Sequence, residues 1–342
     1  MRGIRAVLAV TAVLLAGCTQ LTPGSPMPEP AARAPVTIDT YGLDLSLRDR
    51  SDLQTAAVLR IIDPCGFVSP GQLSKYGEVV QVVPYLGPER CRALVHSGSD
   101  TGSLMIEVGA YKPDTVTDYP VDGGTVSRRM DTVGGCELIV PARLPVTGVA
   151  GPGDTFLDHI GVTAGEFAGD ECAPAADVAA KILAAVRDLK LPLRRYATEI
   201  VPGGFYDPCA AAGHLPTGWR LTRLATVGQP YDCTFYANGP DGKEQYFGVR
   251  LEIDRADASA LGAPIDLNGR PGTLYCPGGA APDMPDNCFA DFILEGEVDG
   301  NRSGSPLSKV EMAYGRVRTT VSVYGIRAAV ETVAAAATAL YR

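Results

Sequence analysis

Nine cysteines hold most of the chemistry in this sequence, and the first stands apart from the rest. Cys18 closes the run Leu15-Ala16-Gly17-Cys18, which follows Arg2, Arg5 and a short apolar stretch from Ala6. A basic start, an apolar middle and a small-small-Cys ending predict a lipoprotein export signal over residues 1–17, cut before Cys18, whose thiol then carries lipid (a palmitate-type modification). Ala6 to Gly17 is too short to span a bilayer, which takes about 20 apolar residues. Ordinary cleaved secretion and a buried helix are the other readings of the stretch. The residues that follow include Pro23, Pro26, Pro28, Pro30 and Pro35. They cannot continue a helix, so residues 18–48 read as an extended tether.

The other eight are Cys65, Cys91, Cys136, Cys172, Cys209, Cys233, Cys276 and Cys288. An even number outside the cytoplasm is expected to pair. About a hundred connectivities are possible, so pairing needs another argument, and an internal repeat supplies it. Ile62-Asp63-Pro64-Cys65 recurs as Tyr206-Asp207-Pro208-Cys209. The next cysteine lies 26 residues on in the first copy and 24 in the second. Each opens an apolar stretch, then a turn rich in Gly, Asn, Asp or Ser, then a period-two strand. Leu104, Ile106 and Val108 alternate around Met105 and Glu107; Val249, Leu251 and Ile253 alternate around Arg250 and Glu252. The matched spacing predicts Cys65–Cys91 and Cys209–Cys233. The remainder, Cys136–Cys172 and Cys276–Cys288, do not match. Cys136 and Cys288 each open an apolar run and read as equivalent, which puts their partners on opposite sides in sequence.

Each copy also ends in a helical pattern. Val178, Ile182, Val186 and Leu189 fall on one face of Ala173–Leu189, and Val330, Val333, Ala337 and Leu340 on one face of Ile326–Leu340. Leu191-Pro192 stops the first helix. In the Asp-Pro-Cys segments, Asp caps a short helix that Pro starts and Cys anchors. Trp219, Tyr206, Tyr231, Tyr236 and Tyr246 read as core.

Other chemistry finds little support. His96, His159 and His214 are far apart and lack ligand-spaced neighbours. There is no paired Cys-x-x-Cys, His-Glu-x-x-His, Walker loop, dinucleotide fingerprint or Gly-x-Ser-x-Gly elbow. Asp283, Asp286 and Asp291 lack the regular spacing of a calcium loop. The expectation is therefore no catalytic residue, no cofactor and no metal. A triad assembled from scattered residues stays open as an extracytoplasmic hydrolase. The chain carries a net charge of −9; without the signal, 28 basic face 39 acidic residues, a net −11. That balance argues against nucleic acid, since phosphate contacts need clustered Lys and Arg.

The lipobox, the Asp-Pro-Cys start, a second cysteine opening a strand, and the late Cys172-x-x-Ala175-x-x-x-Ala179 helix resemble an actinobacterial secreted lipoprotein family of unknown function. The resemblance covers residues 50–196, and in 197–342 it covers the beginning and the final helix. The second copy lacks a cysteine just before its helix. The resemblance implies an α+β module at the cell envelope and no catalytic residues. Related cysteine-paired modules occur as extracellular sensor regions of actinobacterial receptor kinases.

The fold class expected is α+β: two related modules, 49–196 and 197–342, each an antiparallel sheet packed against a long helix and stapled by disulfides. The function expected is a membrane-anchored extracytoplasmic lipoprotein acting as a non-catalytic binding or interaction module. Its partners would be the membrane through its lipid, and an envelope protein or small-molecule ligand held in the cleft between modules. The alternative is an accessory sensor for an envelope kinase or complex.

Overall fold

The computed structural model describes residues 40–110, 115–130, 135–142, 159–167, 169–194, 201, 203–255, 262–277, 287–294, 298–303 and 316–341. Cys18, the expected signal and the tether up to residue 39 lie outside them. The rest is built from two antiparallel sheets, a few helices and four disulfides, an α+β architecture.

The first helix, α1 (Leu47–Arg60), starts where the tether was expected to end. Ser46 caps it: its hydroxyl accepts from Asp49 N at 3.1 Å, while the Asp49 carboxylate accepts from Ser46 N at 3.3 Å. Leu53, Ala56 and Leu59 are buried on one face, and α1 packs against strands of both sheets, β2 and β8. The first sheet follows: β1 (Glu78–Tyr85), β2 (Gly87–Ser97), β3 (Asp100–Val108), β4 (Val116–Val121), β5 (Gly124–Arg129), β6 (Cys136–Pro141) and β7 (His159–Gly165), in the order β1-β2-β3-β7-β6-β5-β4. Helix α2 (Cys172–Arg187) comes next and lies against β6 and β7. Val178 and Ile182 are fully buried, but Leu189, expected on the same face, is 66% exposed with φ +53°, because the helix has already ended.

The second sheet contains β8 (Arg220–Gln229), β9 (Asp232–Asn238), β10 (Glu244–Arg255), β11 (Ala263–Leu267), β12 (Arg270–Tyr275), β13 (Asn287–Ile293), the short β14 (Val298–Asp299) and β15 (Arg316–Ile326). Its order is β11-β12-β13-β15-β10-β9-β8, with β14 added on β15. Matched strand for strand, this is the order of the first sheet. Cys91 on β2 corresponds to Cys233 on β9, and Cys136 on β6 to Cys288 on β13. Helix α3 (Arg327–Leu340) packs against β13 and β15, with Val330, Val333 and Ala337 buried.

The disulfides are Cys65–Cys91, Cys209–Cys233, Cys136–Cys172 and Cys276–Cys288. The equivalent Cys136 and Cys288 take partners on opposite sides, the first at the start of α2 and the second just after the adjacent strand β12. Both Asp-Pro-Cys segments begin 3₁₀ turns, Pro64–Phe67 and Pro208–His214. Asp63 accepts from Cys65 N at 3.1 Å, and Asp207 from Cys209 N at 3.0 Å.

The described residues form one compact unit, and buried side chains from both sheets belong to one continuous core. The junction is polar and reciprocal. Arg60, at the end of α1, pairs with Asp207 at 3.4 Å and donates to Pro230 O at 3.1 Å. Arg302, from the second half, pairs with Asp63 in the first. Each half's Asp-Pro-Cys cap is thus held by an arginine from the other. Tyr41 adds a 2.6 Å hydrogen bond to Asp207.

Candidate functional site

The aromatic residues expected in the core divide between two faces of the second sheet. Tyr231 is 2% exposed, and its hydroxyl points at Arg60 O (2.9 Å) and Gly204 O (2.5 Å). Trp219 packs edge-on against Phe247 at 5.2 Å, and Tyr206 stacks on Tyr341 at 5.2 Å. Tyr236 and Tyr246 do not join the core. Strand alternation sends Phe235 and Phe247 inward and these two outward. There they start a ribbon of rings: Tyr236–Tyr246 at 5.3 Å, Tyr246–Tyr324 at 5.8 Å, Tyr324–Phe289 at 6.1 Å and Phe289–Tyr275 at 6.4 Å. The guanidinium of Arg223 caps Tyr236 at 3.7 Å. The Tyr324 ring lies over Gly248, where a Cβ would come within 2.0 Å of it, so only glycine fits.

Along the same face of β10 lie Arg250, Glu252 and Asp254, and there the first sheet abuts the second. The contact is made by the β1–β2 turn. Leu86, at its tip, holds φ +65°, a left-handed conformation that costs a non-glycine residue about 1 kcal/mol or more. That conformation presents Leu86 O to Ile253 N at 3.1 Å, bridging the two sheets. Behind the bridge is a cavity of about 200 Å³, walled by Leu86, Glu89, Arg90, Tyr231 and residues 250–254.

Glu89 sets the character of this cavity. It is 5% exposed, and its Oε2 has no hydrogen-bond partner among the described residues. Its Oε1 is 3.7 Å from Arg90 Nε. The carboxyl folds back over Gly87, where a Cβ would sit 2.4 Å from both oxygens. Burial pushes the Glu89 carboxyl up to about 7, against the opposing pull of Arg90 and Arg194. Burial also raises Glu252 and Asp291 on the neighbouring face. The arginines nearby bond mainly elsewhere: Arg90 Nη2 bonds Glu107 at 2.8 Å while its Nε makes no hydrogen bond among the described residues, Arg250 bonds Asp232 at 2.9 Å, and the buried Arg194 donates to Arg60 O at 3.1 Å and to Pro88 O.

A second recess, of about 540 Å³, runs beside α2. Its charges are matched locally: Lys75 pairs with Asp177, Lys181 donates to Phe67 O at 2.8 Å, and Arg187 pairs with Asp188. The cleft between the sheets is therefore the better candidate.

The eight disulfide cysteines position the sheets without entering the cleft lining. His96, His159 and His214 sit on β2, β7 and the turn after Pro208. Among the described residues, no group of three or more His, Cys, Asp or Glu is placed to hold a metal, and no helix is long and apolar enough to cross a membrane. Sequence reasoning missed Glu89. Gly87-Pro88-Glu89-Arg90 reads as a polar turn, and only the approach of β10 buries it.

Fold and site define a disulfide-stapled α+β protein with two antiparallel sheets meeting at an acidic cleft. No protein-family model matches the chain, and no curated protein matches it. Among solved structures, it is similar to MucB in a crystal structure of MucB in complex with MucA(peri), at 13% identity and a TM-score of 0.16, covering 72% of this chain and 80% of that one.

Proposed function

We propose that this chain is an extracytoplasmic lipoprotein, anchored through Cys18 at the outer face of the cell membrane, acting as a non-catalytic binding module with the cleft between its sheets as ligand site. Glu89 carries this reading. It is a buried acid with an open acceptor atom, in a cavity also lined by the apolar Leu86, Leu251 and Ile253. An unsatisfied buried polar group costs about 1–3 kcal/mol and is retained where something else uses it. The four disulfides support an oxidising compartment. In this reading the chain is two related modules, 49–196 and 197–342, each a sheet backed by one long helix. The matching strand orders support it.

Native mass spectrometry of protein purified from envelopes tests the cleft: wild type retains a small molecule and Glu89→Gln does not. Identical masses for both, with no adduct on either, refute the ligand site. Labelling with a palmitate analogue tests the anchor: label on wild type and none on Cys18→Ser is expected, and equal labelling refutes it.

A further inference from the structure

We infer that the cleft cavity takes a small organic cation bearing a primary ammonium, with Glu89 Oε2, Glu252 and Asp254 as its acceptors. The inference rests on the cleft being a ligand site, and adds the ligand's chemical class.

Four observations lead to it. In the ionised acid the orphaned atom is an acceptor, so the partner it then lacks is a donor. The cations in and around the wall are committed elsewhere except at Arg90 Nε, which makes no hydrogen bond among the described residues and stands 3.7 Å from Glu89 Oε1. Arg90 is held by Glu107, Arg250 by Asp232, and Arg194 by two backbone carbonyls; Arg250 reaches Glu252 only at 3.5 Å. Three carboxyl groups, Glu89, Glu252 and Asp254, thus line the space against two guanidiniums, Arg90 and Arg250, leaving an excess of negative charge; Asp254 also accepts from Thr320 Oγ1 at 2.5 Å. Leu86, Leu251 and Ile253 line the same cavity and suit methylene groups. Its volume of about 200 Å³ equals the space of roughly seven waters, which fits a short alkyl amine and excludes a folded partner.

An ammonium has three donors for three carboxyl groups, and desolvated charge-assisted bonds are the strong ones. It would also change the protonation of the site. Glu89 faces the charges of Arg90 and Glu107 from the first sheet and Arg194 from the segment after α2, and Arg250, Glu252, Asp254 and Tyr231 line the cavity from the second half. Seating a cation against Oε2 favours its ionised form, so near neutral pH binding expels part of a proton.

The test is isothermal titration of the intact, oxidised protein at pH 7.0 with 1,5-diaminopentane, in two buffers of different ionisation enthalpy, with 1,5-pentanediol as control. Nα-acetyl-lysine methylamide forms a second arm, separating a free amine from a lysine side chain. The expected result is saturable amine binding with net proton release, no binding of the diol, and at least a tenfold loss of affinity with loss of proton release in Glu89→Gln. Glu252→Gln, a less buried change, is expected to weaken binding without removing the proton release. Binding by neither amine, equal binding of the diol, or saturation by calcium in place of the amines overturns the inference. A retained ligand without an amine in the mass spectrum overturns this assignment while leaving the cleft reading intact.

Discussion

Replacing Glu89 by glutamine isolates the cost of an acid buried at the junction of the sheets. In the folded protein burial raises this carboxyl from 4.5 to about 7. The folded state therefore holds the proton more tightly than the unfolded chain across that interval. The stability it contributes is fully present below pH 4.5 and is lost as pH rises to about 7. At 1.36 kcal/mol per pH unit the loss reaches about 3 kcal/mol by pH 8. The group is 5% exposed, so solvent screening reduces this little. Glutamine keeps the shape of the protonated acid and does not ionise, so the variant escapes the penalty. Urea denaturation with disulfides intact, at pH 4, 6 and 8, gives both curves. The difference between variant and wild type is expected to grow in favour of Glu89→Gln by about 3 kcal/mol, a midpoint change on the order of 1 M urea. Glu252 and Asp291 also titrate, but they are common to both proteins and cancel. Curves that stay parallel across the range would show that water reaches Glu89 or that a cation holds it ionised, and the argument from burial would fail.

Other perturbations probe the frame around the cleft. Arg60→Ala removes the Asp207 ion pair and the bond to Pro230 O from a buried position, and should cost about 3 kcal/mol with little salt dependence, read from urea midpoints at low and high ionic strength. Tyr231→Phe removes the hydroxyl that reaches Arg60 O and Gly204 O, and a loss of about 1–2 kcal/mol is expected; an unchanged midpoint would mean water replaces it. Gly87→Ala forces the Glu89 carboxyl off its seat, so it should flatten the pH dependence as well as lower the midpoint. Removing Cys65–Cys91 by paired alanines opens a loop of 26 residues and should cost about 3.5 kcal/mol, against about 2.8 kcal/mol for the 12-residue Cys276–Cys288 loop.

Where local pattern decides structure, the sequence was readable. The Asp-Pro-Cys caps, the hairpins after Cys91 and Cys233, the inward faces of β3 and β10, and the disulfides paired by spacing all rest on contacts within a few residues or on one repeated length. Helix α1 escaped because it follows a Pro-rich segment and its apolar positions are interrupted by charge. Its signal was Ser46 with Asp49, a capping pair three residues apart. Tyr236 and Tyr246 were misassigned to the core because aromatic residues suggested burial, although alternation against Phe235 and Phe247 already pointed them outward. Glu89 was invisible for a different reason. It is buried by a strand 160 residues later in the chain, and no one-dimensional pattern encodes that approach.

The exchange of arginines between Asp63 and Asp207 constrains how such a chain changes over generations. A substitution at position 63 is felt 239 residues away at Arg302, and one at 207 is felt at Arg60. Replacing either half by one that lacks its arginine would leave the other half's aspartate without its guanidinium. The two halves therefore tolerate change at positions 60, 63, 207 and 302 only as matched pairs.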